Sequence, residues 1–173
     1  MKHAAWLPVM VLLLAGCAPA GSKGRDLTFA QASDYFAARQ DRLAALVALL
    51  DACRPVDATG YADVWRDGTA GAKRCAKGDQ AVLGEIRTWL ATEDFVAAGF
   101  YTADRHPMSL VAGVEIITHA QGLGVSGTLT KFTYSATPEP GPVRIERRQD
   151  GSVISEARAL TPAPFHWFWE HAR

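Results

Sequence analysis

Beyond about residue 100 the chain has no segment with a helical repeat, and this constrains its fold more than any other feature. Leu110 to Thr118 is rich in β-branched residues, and Val125 to Tyr134 alternates with Thr, Phe and Tyr. These predict two strands joined across Ala120-Gln121-Gly122-Leu123-Gly124. Two more strands are expected at about 143–148 and 153–158, on either side of Asp150-Gly151. Parallel strands need crossover helices between them, and this half of the chain offers none. The expected sheet is antiparallel.

Helical patterning is confined to the first half. Thr28-x-x-Gln31 forms a capping box, with Leu27 before it as a hydrophobic staple. Phe29, Ala32, Phe36, Leu43, Leu46, Leu50 and Cys53 follow in three-and-four spacing, interrupted at Arg39, which predicts a helix over about 28–52. Asp79 can cap a second helix over about 80–98, with Val82, Ile86, Trp89 and Leu90 facing inward and Gly99 as C-cap. Between the helices, residues 54–78 show no sustained period, and Tyr61 and Trp65 stand four apart as in one helical turn. Helices segregate from strands, so the fold class is α+β: two helices packed on a four-stranded antiparallel meander, one domain over residues 27–173, with an aromatic C-terminal tail.

The register at Asp150-Gly151 has two solutions. A two-residue turn would pair Ile145 with Glu156. A three-residue loop, Gln149-Asp150-Gly151, would place Val143, Ile145, Val153 and Ala157 on the buried side and set Arg144 opposite Glu156. Matched burial favours the second, with Gly151 at positive φ and Ile145 facing the helices.

The N-terminus sets the expected location. Met1-Lys2-His3 is a short basic start, and the apolar run from Ala4 to Leu14 is too short to span a bilayer as a helix. Leu14-Ala15-Gly16-Cys17 then resembles the lipobox of bacterial lipoproteins: an aliphatic residue, two small residues and cysteine. The resemblance implies removal of residues 1–16 as a signal peptide, a diacylglycerol thioether on Cys17 and an acylated, palmitate-type amino terminus. It covers only this stretch. An ordinary secretory signal cut near Ala18-Pro19-Ala20 is the alternative. Residues 17–26 are small, polar and Gly/Pro-rich, and are expected to form a flexible tether. By the same resemblance, Ala18 after the cysteine points to the outer membrane of a Gram-negative cell, facing the periplasm.

Without residues 1–16 the 173-residue chain keeps 157, enough for one domain, with 17 basic and 18 acidic side chains. That balance lacks the basic footprint of a nucleic-acid binder, so no nucleic-acid partner is expected. With Cys17 carrying lipid, Cys53 and Cys75 remain as an even pair in an oxidising compartment. A disulfide is expected, closing a loop worth about 3.4 kcal/mol in the chain-entropy model. Free thiols and metal ligands are the alternatives, but a lone pair without CxxC spacing makes a poor zinc site.

Chemical motifs are weak. Gly122-x-Gly124-x-x-Gly127 matches the dinucleotide fingerprint by letter, but a strand follows it where the fingerprint needs a helix. Hairpin geometry explains these glycines better. His166 and Glu170-His171 miss the inverted zinc-protease spacing, and Asp63 with Asp67-Gly68 misses the EF-hand spacing. No catalytic residue, metal or cofactor is assigned; His106 and His119 are the candidate general bases. Phe165, Trp167, Phe168 and Trp169 either close the core or form an interaction surface, and four near-consecutive aromatics should leave some exposed. The chain reads as a lipid-anchored envelope protein, a non-enzymatic binding, accessory or assembly component. Its expected partners are the membrane through Cys17 and another envelope protein or cell-wall component. The competing reading is a small envelope hydrolase with a histidine-based site. Mass spectrometry of unreduced mature protein should show a peptide pair joined through Cys53 and Cys75; alkylatable thiols at both positions would exclude the disulfide.

Overall fold

The computed structural model describes residues 24–52, 62–67, 80–101, 113–122 and 127–173. Cys17, Cys53, Cys75, Asp79 and His106 lie outside them. Helix α1 (Phe29–Ala52) begins where its capping box requires. Thr28 N donates to Gln31 Oε1 at 2.9 Å, and Gln31 N to Thr28 Oγ1 at 3.4 Å. The expected stripe of Ala32, Phe36, Leu43, Leu46 and Leu50 is buried, joined by Tyr35 and Val47. The break in the apolar repeat is also a break in the helix, because Arg39 has φ −139° and ψ 18°. Arg39 and Arg42 both reach the buried carboxylate of Glu93, at 3.4 and 3.1 Å.

Helix α2 (Gln80–Thr92) buries Leu83, Ile86 and Leu90 and stops six residues earlier than expected. Phe95 N donates to Leu90 O and Asp94 N to Ala91 O, with Asp94 at φ 55°. This is a Schellman ending with aspartate in the place glycine usually takes, and Phe95 packing back on the core completes it. Gly99 is therefore not a C-cap; it pairs with Glu115 inside a strand. Residues 62–65 form a strand as well, not the helical turn suggested by Tyr61 and Trp65.

The sheet has seven described strands where four were expected. They are β1 (Ala62–Trp65), β2 (Ala97–Tyr101), β3 (Gly113–Gln121), β4 (Thr128–Glu139), β5 (Val143–Arg147), β6 (Val153–Ala159) and β7 (Phe165–Ala172). All neighbours run antiparallel, in the order β1-β2-β3-β4-β7-β6-β5. The α+β class stands, but the single meander does not. β7 inserts between β4 and β6, giving the last four strands Greek-key order. The aromatic tail is this inserted strand, the most apolar of the C-terminal half, and burial favours a central place for it over an edge.

Both sheet faces are buried across the central strands. On one, Val64, Ala98, Val114, Ile116, Phe132, Trp167 and Trp169 meet the two helices. The rings of Tyr35 and Phe132 lie 5.6 Å apart, those of Phe36 and Trp167 5.3 Å, and Trp169 Nε1 donates to Leu27 O. The other face is lined by small side chains such as Ala97, Thr133, Ser135, Ala157 and Ala172, with Phe168 and three charged groups among them. Alternate tail aromatics thus enter opposite interiors, so the expected interaction surface of Phe165, Trp167, Phe168 and Trp169 is absent. Phe168 is fully buried, the two tryptophans nearly so, and Phe165 half-buried.

The β5–β6 hairpin follows its expected turn and departs from its expected register. Gly151 N donates to Arg148 O, Arg148 N to Ser152 O, and Gly151 has φ 83°, as the loop Gln149-Asp150-Gly151 demands. A bulge at Ile154 then shifts the ladder by one, so Ile145 pairs with Glu156 and Arg144 with Ala157. The pairing of β6 with β7 fixes Ala157 and Ala159 on the small-residue face, and β5 follows. No burial on β5 rewards the alternative: the strand is exposed throughout, with Val143 at 51% and Ile145 at 46%, and Ile145 lies on the helix side of the sheet, in register with Glu156 and His171, without being buried there. Phe132→Ala, beneath Tyr35 and Phe95, should cost about 3–5 kcal/mol of unfolding free energy by urea denaturation. A cost below 1 kcal/mol would show that this face is not the core.

Candidate functional site

Chain entry brings the densest group of titratable side chains together. Gly24 bridges to His119, and Arg25 N donates to Thr118 O at 2.6 Å. A Cβ on Gly24 would lie 2.1 Å from Thr118 O, and φ is +54°, so glycine is required for this approach. Residues 24–26, expected in the tether, are therefore fastened to the sheet. Cross-strand pairing then sets His119, Thr130, His171, Glu156 and Ile145 in one row over five strands.

The hydrogen bonds in this row permit one proton arrangement. Thr130 Oγ1 lies 2.7 Å from Asp26 Oδ1 and 3.1 Å from His171 Nδ1. A carboxylate can only accept, so the single hydroxyl proton goes to Asp26. His171 must then donate from Nδ1 to the hydroxyl oxygen, leaving a lone pair on Nε2. Arg173 Nε, which can only donate, sits 3.2 Å from that Nε2. The imidazole also stacks parallel to the Trp169 indole, 5.8 Å between centres. Burial holds the His171 pKa below its ordinary value, against the opposing pull of Asp26. Neutral imidazole is the form the relay needs.

This sequence of groups is not that of a nucleophilic triad. There the imidazole stands between hydroxyl and carboxylate and takes the hydroxyl proton. Here the hydroxyl stands in the middle and gives its proton to the carboxylate. His119, the sequence-level candidate, pairs with Thr130 in register, but its buried Nδ1 has no hydrogen bond among the described residues. Its neighbours Asp26 and His171 lie 104 and 41 residues from Thr130, and only the sheet register reveals them. His166 points Nδ1 at Ser135 O, 2.8 Å away, and stacks on Tyr134, 6.0 Å between ring centres. Gly122 has φ +64° and Gly127 approaches Gly122 O so closely that a Cβ would lie 2.2 Å from it, which makes both hairpin glycines.

The other face carries a buried charge network. Lys131 Nζ lies 2.6 Å from Glu115 Oε1 and 3.3 Å from Glu170 Oε2, with all three side chains at most 3% exposed. Burial alone would lower the lysine pKa, but the two carboxylates outweigh it and hold Lys131 above its ordinary value. A lysine kept protonated is not a nucleophilic amine. Among the described residues no three His, Cys, Asp or Glu side chains group as a metal would need, and no helix is long and apolar enough to cross a membrane.

What lies open is the sheet edge. The large exposed apolar side chains among the described residues, Val143, Ile145 and Val153, all belong to the β5–β6 hairpin. Arg144 meets Glu139 Oε2 at 2.8 Å, and Arg158 pairs with Glu156 beside them. No protein-family model, curated protein or solved structure matches the chain.

The depressed His171 pKa has a signed consequence. Between that folded value and 6.5 the unfolded chain binds more protons, so stability falls as pH drops through 6.5 and levels off below the folded pKa. In His171→Asn, whose amide can replace Nδ1–H, the fall in urea midpoint between pH 7.5 and 5 should be smaller than in wild type. An equal fall in both proteins would remove His171 from this role.

Proposed function

We propose that this chain is a lipid-anchored cell-envelope protein, held through Cys17 in an outer membrane and facing the periplasm, that acts by binding or assembly without catalysing a reaction. The observation that carries the binding part is β5, an edge strand exposed along its whole length, with apolar side chains grouped on one side. Its partner class is another envelope protein or a cell-wall component. The anchoring part rests on Leu14-Ala15-Gly16-Cys17. Six residues lie between Cys17 and Gly24, and the seven steps that join them reach at most about 25 Å when fully extended. Lipid on Cys17 would therefore hold the His119–His171 end of the sheet close to the bilayer. At the described His119–His171 site a histidine hydrolase would need a hydroxyl or water that gives its proton to imidazole, whereas Thr130 gives its proton to Asp26; His106 lies outside the described residues.

Two variants test the two parts. Cys17→Ser should leave the protein unprocessed or release it from membranes in a carbonate wash, and equal retention of mutant and wild type would refute the anchor. Val143→Asp with Ile145→Asp should abolish the complexes that mild crosslinking captures in native membranes, without changing the thermal midpoint by more than a few degrees. Complexes undiminished in that variant would mean that β5 is not the working edge.

A further inference from the structure

We propose that the occupant of the β5 edge is the β5 strand of a second copy of this chain, paired antiparallel in a register centred on Ile145. This rests on β5 being the working edge and goes further by naming its partner. Backbone directions come first. Pro142 O accepts from Ala159 N at 2.7 Å, and Arg148 N donates to Ser152 O at 2.9 Å. Even-numbered residues between them therefore face β6. The extra residue of the hairpin, Ile154, is in β6, so alternation along β5 is uninterrupted. The N–H and C=O groups of Val143, Ile145 and Arg147 consequently point away from the sheet.

Two copies joining through those groups about a two-fold axis have few registers. Centred on Arg144, the arginine faces its own copy; centred on Glu146, the glutamate does. Both place like charges directly opposite each other. Centred on Ile145, Arg144 stands opposite Glu146 of the second copy, and Glu146 opposite Arg144 of the second copy. Ile145 meets Ile145 on the other face, and Val143 lies beside the aliphatic stem of Arg147. All three outward-facing residues of each strand then gain backbone partners. Edge charges ordinarily discourage pairing; these discourage the two neighbouring registers and favour the one that engages all of β5.

The arrangement also suits two anchored chains. A two-fold axis preserves height along itself, so both Gly24 residues lie at one level and both tethers can reach a single bilayer normal to the axis. Confinement to that bilayer raises the effective concentration of edges, so a five-residue strand can suffice as an interface.

The test uses the full chain in detergent, by sedimentation equilibrium, with charge exchange. Arg144→Glu and Glu146→Arg each create two like-charge pairs across the axis, and each should weaken dimerisation about tenfold or more. The double variant Arg144→Glu/Glu146→Arg restores unlike pairs and should recover wild-type dimerisation, which damage to the fold would not. A wild-type monomer at all concentrations, or a dimer indifferent to the single changes or not recovered in the double, overturns the proposal. A photocrosslinking residue at position 145 in native membranes separates the two levels. An adduct of twice the chain mass supports self-pairing. An adduct with a different molecule overturns self-pairing and leaves the binding role standing. No adduct at all overturns both.

Discussion

The structure depends on where β7 lies. A C-terminal strand placed at the edge would cover one neighbour; placed between β4 and β6 it joins the N-terminal meander to the last hairpin. Its side chains point alternately into two interiors. Trp167 and Trp169 meet Phe36 and Phe29 of α1, and Phe168 fills the small-residue side beside Ala157. Aromatic side chains of this size contribute several kcal/mol each when buried, more than any other strand of the C-terminal half can supply. Without β7, β5 and β6 would be an isolated hairpin, which is marginal in water.

The buried network of Glu115, Lys131 and Glu170 acts mainly on register. Desolvating three charges costs much of what their attraction returns, so such a network is weak evidence of added stability. Its effect on alternatives is larger. Lys131 pairs with Glu170 across β4 and β7. A one-residue slip of β7 would turn Glu170 toward Tyr35 and Phe132 and leave Trp169 against Lys131. Both errors strand a charge in apolar surroundings. For a strand of consecutive large aromatics, whose apolar pattern hardly distinguishes one register from the next, this is the discrimination needed.

That same lack of contrast limits what could be read from the residues alone. Period-two alternation appears when one sheet face is wet; β7 is buried on both, so Trp167-Phe168-Trp169 reads as an undifferentiated tail. The end of α2 was hidden for a local reason, because aspartate occupies the left-handed position where glycine would have announced it. By contrast, the capping box at Thr28, the gap at Arg39 and the loop at Gly151 were legible, since each is set by neighbouring residues. His119 stood out as a candidate, but Asp26 and His171 are joined through Thr130 only by strand pairing. Short-range chemistry leaves marks in a sequence that long-range pairing does not.

Glu170 and His171 are adjacent, and the strand sends them to opposite faces. One is held by Lys131, and the other by the relay from Asp26 through Thr130. The end of β7 is thereby fixed from both sides, and β6 pairs directly along it, with Glu156 opposite His171 and Ala157 opposite Glu170. β5 has no described neighbour but β6, so its position is inherited through that ladder. An edge that must meet a partner in one register has to be carried by a support that cannot slide. The two charge networks provide that support while the outer groups of Val143, Ile145 and Arg147 have no hydrogen-bond partner among the described residues, which separates the work of holding the strand from the work of offering it.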